Sequence, residues 1–192
     1  MNADRNNLYP IFLKTHQLTV LLVGAGNVGL EKLSFLLKSS PKANVQIVAP
    51  SINEDIIRLI KNKNVSLINS VYKKKHLHNK DLVIVATNNS DINKQIYNDC
   101  KERNLLVNVA DTPDLCDFYL GGIVTKGNVK IAISTNGKSP TTAKRLRQFF
   151  EEVIPDDINE LVQNLNNYRK TIKGNFENKV QVLNKLTESL VK

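Results

Sequence analysis

The sequence contains no tryptophan, and aromatic residues of every kind make up only 6% of it. Most of its basic residues are lysine. It therefore lacks the arginine and aromatic enrichment of proteins that stack on nucleic-acid bases, and no nucleic-acid partner is expected. Two cysteines, Cys100 and Cys116, are too few for a disulfide framework, and without a Cys-x-x-Cys pair they offer no structural zinc site. They are expected to be reduced thiols in a cytoplasmic protein. No stretch approaches ~18 consecutive apolar residues, so neither a membrane-spanning helix nor a membrane partner is expected. The opening residues MNADRNNLYP lack a basic segment followed by an apolar one, which argues against a secretory signal. The histidines His16, His76 and His78 have no carboxylate or cysteine at a spacing that completes a ligand set, so no metal site is expected. Neither an H-E-x-x-H nor a Ser-His-Asp pattern is present.

What the sequence does have is apolar mass and positive charge. The 192 residues are long enough for one medium core, or for a main domain with a small appendage, and 41% of them are hydrophobic, the composition of a globular protein. Lys and Arg number 27 against 18 Asp and Glu, a net charge of +9 that favours an anionic partner such as a phosphate or a polycarboxylate.

The first half alternates continuous apolar runs with helical periodicity. Leu18–Val23 reads as a strand buried on both faces, Val45–Ala49, Val65–Ile68 and Leu105–Val109 as strands, and Leu82–Ala86 as a further buried strand. Between them, Val28, Leu33, Leu36 and Leu37, then Ile56, Ile57 and Ile60, then Ile92, Ile96 and Tyr97 mark helices. The order β-α-β-α-β-β-α-β predicts a Rossmann-type α/β protein with a doubly wound parallel sheet. After Asp111 the pattern changes. Ile123–Lys126 and Val129–Ser134 flank Gly127-Asn128, a hairpin signal. Ser139-Pro140 opens a helix with Ala143, Leu146, Phe149, Phe150 and Val153 on one face, ended by Pro155. Two more amphipathic segments carry Ile158, Leu161, Val162, Leu165 and Tyr168, then Phe176, Val180, Leu183, Leu186 and Leu190. The expected organisation is a dinucleotide-binding domain over residues 1–112, a hairpin-and-helix unit over 113–150, and a helical C-terminal tail over 151–192.

Three motifs could carry chemistry. The first, Gly24-x-Gly26-x-x-Gly29, follows a predicted strand and opens a predicted helix, the context a dinucleotide turn requires. In that reading Gly24 permits the tight turn, Gly26 the approach of a pyrophosphate, and Gly29 the packing of helix on strand. The acidic residue expected ~20 positions on, to hold a ribose hydroxyl, is replaced by Ala49-Pro50-Ser51. The second, Asn108-Val-Ala-Asp-Thr-Pro113, ends the fifth strand, where open α/β sheets bind ligands. Asp111 there is either a base beside a nicotinamide or the cap of a turn before Pro113. The third runs from Ile131 to Arg147. Its loop, its Ser139-Pro140 helix start and its cluster of Lys138, Lys144, Arg145 and Arg147 make either an anion site or a solvated basic face.

In this order the motifs resemble the precorrin-2 dehydrogenase family, the N-terminal part of siroheme synthases. Leu8-Tyr-Pro-Ile-Phe-Leu13 looks like that family's opening strand, Val23–Lys32 like its cofactor loop, Ala86-Thr-Asn-Asn89 like its fourth-strand turn and Asn108–Phe118 like its catalytic segment. Lys130–Pro140 is the most specific match. The sequence departs from the pattern at Asn136, where a glycine is common, and at Gly29, where alanine is frequent. The resemblance implies NAD-dependent oxidation of precorrin-2 to sirohydrochlorin, and some members also insert ferrous iron. It implies Asp111 as the catalytic aspartate, and Asn27, Val28, Pro50, Ser51 and Thr87 beside the three glycines as NAD contacts. Thr135 falls at the tetrapyrrole site, which would include Lys138, Ser139 and Arg145. It also implies a homodimer built through the hairpin-and-helix unit. A module that binds NAD to regulate another protein, without turnover, is the alternative.

Overall fold

Five runs of valine, leucine and isoleucine form one all-parallel sheet. In the computed structural model, which describes residues 5–188, the strands are β1 (Thr19–Val23), β2 (Asn44–Ala49), β3 (Val65–Asn69), β4 (Leu82–Val85) and β5 (Leu106–Val109). Their spatial order is β3-β2-β1-β4-β5. Helices α1 (Asn27–Ser39), α2 (Glu54–Leu59) and α3 (Ser90–Lys101) make the crossovers, with a short 3-10 turn at Lys74–Leu77 between β3 and β4.

Side chains of a strand alternate between its faces, and here both faces are covered. Val20, Leu22, Val45, Ile47 and Ile84 pack with Leu33 and Leu37 of α1 and Ile56 of α2. Leu21, Val23, Val48, Val83, Val85, Val107 and Val109 pack with Ile96 and Cys100 of α3. The continuous apolar runs follow from this two-sided burial.

The chain divides into two compact units. The sheet and its helices form the first, which runs to Leu120 and includes Ser134–Lys138. The second comprises Gly121–Ile133 and the chain from Ser139 onward. In it β6 (Gly122–Lys126) and β7 (Val129–Ile133) pair antiparallel through a two-residue turn, with Gly127 left-handed at φ 57°. Helix α4 (Pro140–Val153) packs on this hairpin. Ser139 caps it, its Oγ accepting the Thr142 N–H at 3.2 Å. Helices α5 (Ile158–Thr171) and α6 (Phe176–Leu186) follow. Asn159 of α5 latches the hairpin turn, its Oδ1 accepting from the Asn128 N–H at 2.8 Å and from Asn128 Nδ2 at 2.9 Å.

The expected opening strand at Leu8–Leu13 is not one. The segment has no strand geometry, Tyr9 is 87% exposed, and Pro10 has no N–H to give a ladder. The family resemblance in this segment does not extend to strand geometry. Leu190 and the first four residues lie outside the described residues. Among the described residues no helix is long and apolar enough to cross a membrane.

Candidate functional site

The registers of β1, β4 and β5 set the site. Val23 pairs with Val85, and Val85 with Val109. The ladder continues one residue further: Gly24 N–H donates to Val48 O at 3.0 Å, Ala86 N–H to Val23 O at 2.7 Å, and Ala110 N–H to Val85 O at 2.9 Å. The glycine turn, the β4 turn and the β5 turn therefore leave the carboxyl edge of the sheet side by side. One step beyond lie Ala25, Thr87 and Asp111.

The three glycines differ in what surrounds them. Gly24 has φ 102°, and a β-carbon there would meet the Ala86 carbonyl oxygen at 2.3 Å. A β-carbon on Gly29 would meet the Gly24 carbonyl oxygen at 2.3 Å. These two are required by the packing of turn on strand and helix on turn. Gly26 is required by neither. Its backbone is extended at φ −83°, ψ −160°, and among the described residues nothing lies within 4 Å of the place its β-carbon would take. No side chain caps the α1 N-terminus, which begins at this open position. The arrangement leaves room for a phosphate against the first N–H groups of α1.

A cavity of about 450 Å³ opens beside this turn. Val28, Thr87, Asn93, Lys94, Asp111 and Thr112 are among its lining. Val28, one of the apolar residues of α1 and an implied NAD contact, is 37% exposed and lines this space. Thr87 is fixed by a reciprocal pair: its Oγ1 donates to Asn93 Oδ1, and Asn93 Nδ2 donates to the Thr87 carbonyl at 3.1 Å. The sequence reading missed Asn93. Its signal was a polar residue on the buried stripe Asn93, Ile96 and Cys100 of α3.

Asp111 is two residues past β5, in the left-handed region at φ 57°. The Thr112 N–H donates to Val109 O at 3.2 Å, closing the turn that contains it. Among the described residues its carboxylate has no hydrogen-bond or ion-pair partner, so it caps nothing here. Pro50 and Ser51 follow β2 and are exposed. Asn27 Oδ1 accepts from Asn53 Nδ2 at 3.2 Å, and the Asn53 N–H donates to Ala25 O at 3.0 Å, tying the glycine turn to the start of α2. Glu54 and Asp55, the nearest acids, pair with Arg58. Thr135 and Lys138 belong to the same unit as these residues, and Ser139 and Arg145 to the other, where the Arg145 guanidinium donates to Gln148 at 3.1 Å. Among the described residues no group of His, Cys and carboxylates could hold a metal ion.

An all-parallel sheet in this order, with a glycine turn and a cavity at its carboxyl edge, defines a doubly wound dinucleotide-binding α/β protein. The model of the family described as "Putative NAD(P)-binding" matches residues 11–122, and the chain belongs to that family. A second family model, "Sirohaem biosynthesis protein central", matches residues 126–152. The chain is 39% identical over 168 residues to a siroheme synthase of Pseudoalteromonas atlantica and 36% identical over 168 residues to one of Psychrobacter sp.. Each match covers 88% of this chain, against 36% and 34% of those proteins, so the chain spans about a third of the length of the curated relatives it matches. A solved structure described as SirC, precorrin-2 dehydrogenase, shares the fold, with a TM-score of 0.74 at 22% identity, over 93% of this chain and 89% of that one.

Proposed function

We propose that the protein is an NAD-dependent precorrin-2 dehydrogenase that forms sirohydrochlorin for siroheme synthesis. The observation that carries the proposal is Gly26: the fold leaves its side-chain position open, directly before uncapped helix N–H groups and beside a cavity that contains a carboxylate. The siroheme synthase relatives and the second family model support the tetrapyrrole as substrate.

In this reading the Gly24–Gly29 turn and the first N–H groups of α1 hold the pyrophosphate, and Asn27 and Val28 bound its near side. Pro50 and Ser51 border the adenosine ribose, and Thr87 borders the nicotinamide half. Bound NAD supplies a hydride acceptor. Aromatisation of the macrocycle releases a hydride and a proton, and the unpartnered Asp111 carboxylate takes the proton. Thr135, Lys138, Ser139 and Arg145 bind the substrate's carboxylates, which the net charge of +9 also attracts. The same carboxylate would take the pyrrole protons that ferrous iron displaces, with iron as a substrate delivered to the ring. The reading includes a cytoplasmic homodimer. Leu146, Phe149 and Val153, exposed along α4, support the dimer, and the two free cysteines support a reducing compartment.

Anaerobic incubation with precorrin-2 and NAD tests the proposal, with sirohydrochlorin and NADH absorbance followed in parallel. Equimolar formation of the two is expected, and a repeat with ferrous iron reads the second activity. NAD binding by calorimetry with no tetrapyrrole turnover would leave the regulatory-module reading instead.

A further inference from the structure

The turn that carries Asp111 is held by a hydrogen-bond chain that starts inside the sheet. Asn108 stands on β5, 6% exposed. Its Nδ2 donates to the Phe118 carbonyl at 2.8 Å and to Cys116 Sγ at 3.4 Å. The thiol in turn lies 3.2 Å from Val109 O and 3.3 Å from Thr112 O, the carbonyls on either side of Ala110-Asp111. One S–H shared between these two acceptors fixes both ends of the turn.

The turn needs such support. A non-glycine residue in the left-handed region costs ~1 kcal/mol and persists where its surroundings over-determine it. Asp111 is in that region, and its carboxylate has no partner to hold it. The rest of the segment is secured without the thiol. The Asp117 carboxylate accepts from the Val107 N–H at 3.0 Å and pairs with Lys101, and the Asp117 N–H donates to Val107 O at 2.8 Å. What Cys116 adds is confined to the Asp111 turn.

We infer that Asn108, acting through the Cys116 thiol, is the positioning residue that aims the Asp111 carboxylate into the cavity. The inference rests on the reading of Asp111 as the proton acceptor. Burial pushes the Cys116 thiol above its ordinary range, which keeps it protonated and able to donate.

The test uses the full chain with precorrin-2 and NAD. Cys116→Ala should lower kcat about 5- to 100-fold, from the weight of one hydrogen bond to that of a 1 Å misplacement. The KM for NAD should stay within about twofold, since no phosphate contact changes. Cys116→Ser, which keeps a donor, should restore most of the loss. Asn108→Ala should lower kcat similarly and add little to Cys116→Ala. In an Asp111→Ala background, Cys116→Ala should cost nothing more, because the group it positions is gone. If the alanine variant does not fold, Cys116→Val fills the volume without a donor and serves in its place. Wild-type kcat in Cys116→Ala, no recovery with serine, or an equal loss in the Asp111→Ala background would overturn the inference. Full turnover in Asp111→Ala would remove the Asp111 reading itself. A crippled Asp111→Ala beside an unimpaired Cys116→Ala would remove only the positioning role.

Discussion

The carbonyl oxygen of Gly24 occupies the space a side chain on Gly29 would need, 2.3 Å from the ideal β-carbon. The first turn of α1 is thereby pressed onto the backbone that leaves β1. Gly29→Ala should destabilise the protein by about 1–3 kcal/mol, the usual cost of overpacking, because the obstacle is backbone and cannot rotate away. Gly24→Ala should cost more, since it adds a left-handed φ of 102° to a 2.3 Å clash with the Ala86 carbonyl. Thermal unfolding of the two variants checks the order.

Gly26 should behave in the opposite way. Gly26→Val meets nothing within 4 Å among the described residues and has an ordinary φ, so its melting temperature should stay within a few degrees of wild type. Its NAD affinity by calorimetry should fall at least about tenfold, because the new side chain fills the phosphate position. Unchanged affinity would place the cofactor elsewhere.

Asp111 separates stability from turnover. Asp111→Asn keeps a residue type tolerant of left-handed backbone and removes the carboxylate proposed as the proton acceptor. Turnover should drop about 10²- to 10⁴-fold while melting and NAD affinity hold. Asp111→Gly should be equally inactive and melt at an equal or higher temperature, because glycine relieves the left-handed cost. A stable Asn variant with near-wild-type rates would take Asp111 out of the mechanism.

Charge on the segment from Thr135 to Arg145 should show in substrate binding. Replacing Lys138 and Arg145 together with alanine should raise the KM for precorrin-2 several-fold and leave that for NAD nearly unchanged. Equal shifts in both, or none, would return these residues to a solvated face.

His76 should make stability depend on pH. Burial, and then Lys75, Lys73 and Lys80, hold its imidazole below the ordinary histidine value, and its Nδ1 accepts the Lys73 N–H at 3.0 Å. The unfolded chain therefore binds the proton more tightly than the folded one. The stabilisation is fully present above about pH 6.5 and is lost as pH falls from there through the depressed folded value. Melting curves between about pH 7.5 and 5 should show this decline, and His76→Gln should flatten it, since glutamine can accept the same N–H without titrating.

The sequence by itself determined the sheet and its crossovers. Runs such as Leu82–Ala86 are short, rich in β-branched residues and without a polar face, which marks strands covered on both sides, and parallel strands need helices between them. It also determined the glycine turn and the Ser139-Pro140 helix start, because a conformational demand on one residue is written in that residue's identity. The Leu8–Leu13 segment, expected as a strand from resemblance alone, has no strand geometry: a strand exists only where its backbone pairs with another, and no local pattern records that pairing.

The tertiary structure alone decided what meets at the carboxyl edge. Val28, Thr87 and Asp111 are far apart in the chain, and only the registers of β1, β4 and β5 bring them to one cavity. The choice between turn cap and free carboxylate at Asp111 depended on whether a donor lay within reach, which no spacing records. Cys116 was legible as a reduced thiol, but its place between Val109 O and Thr112 O depended on the chain folding back over β5. Local backbone preferences act over a few residues and survive in the sequence. Contacts across strands depend on register and on chain reversal, and these are settled only when the whole sheet forms.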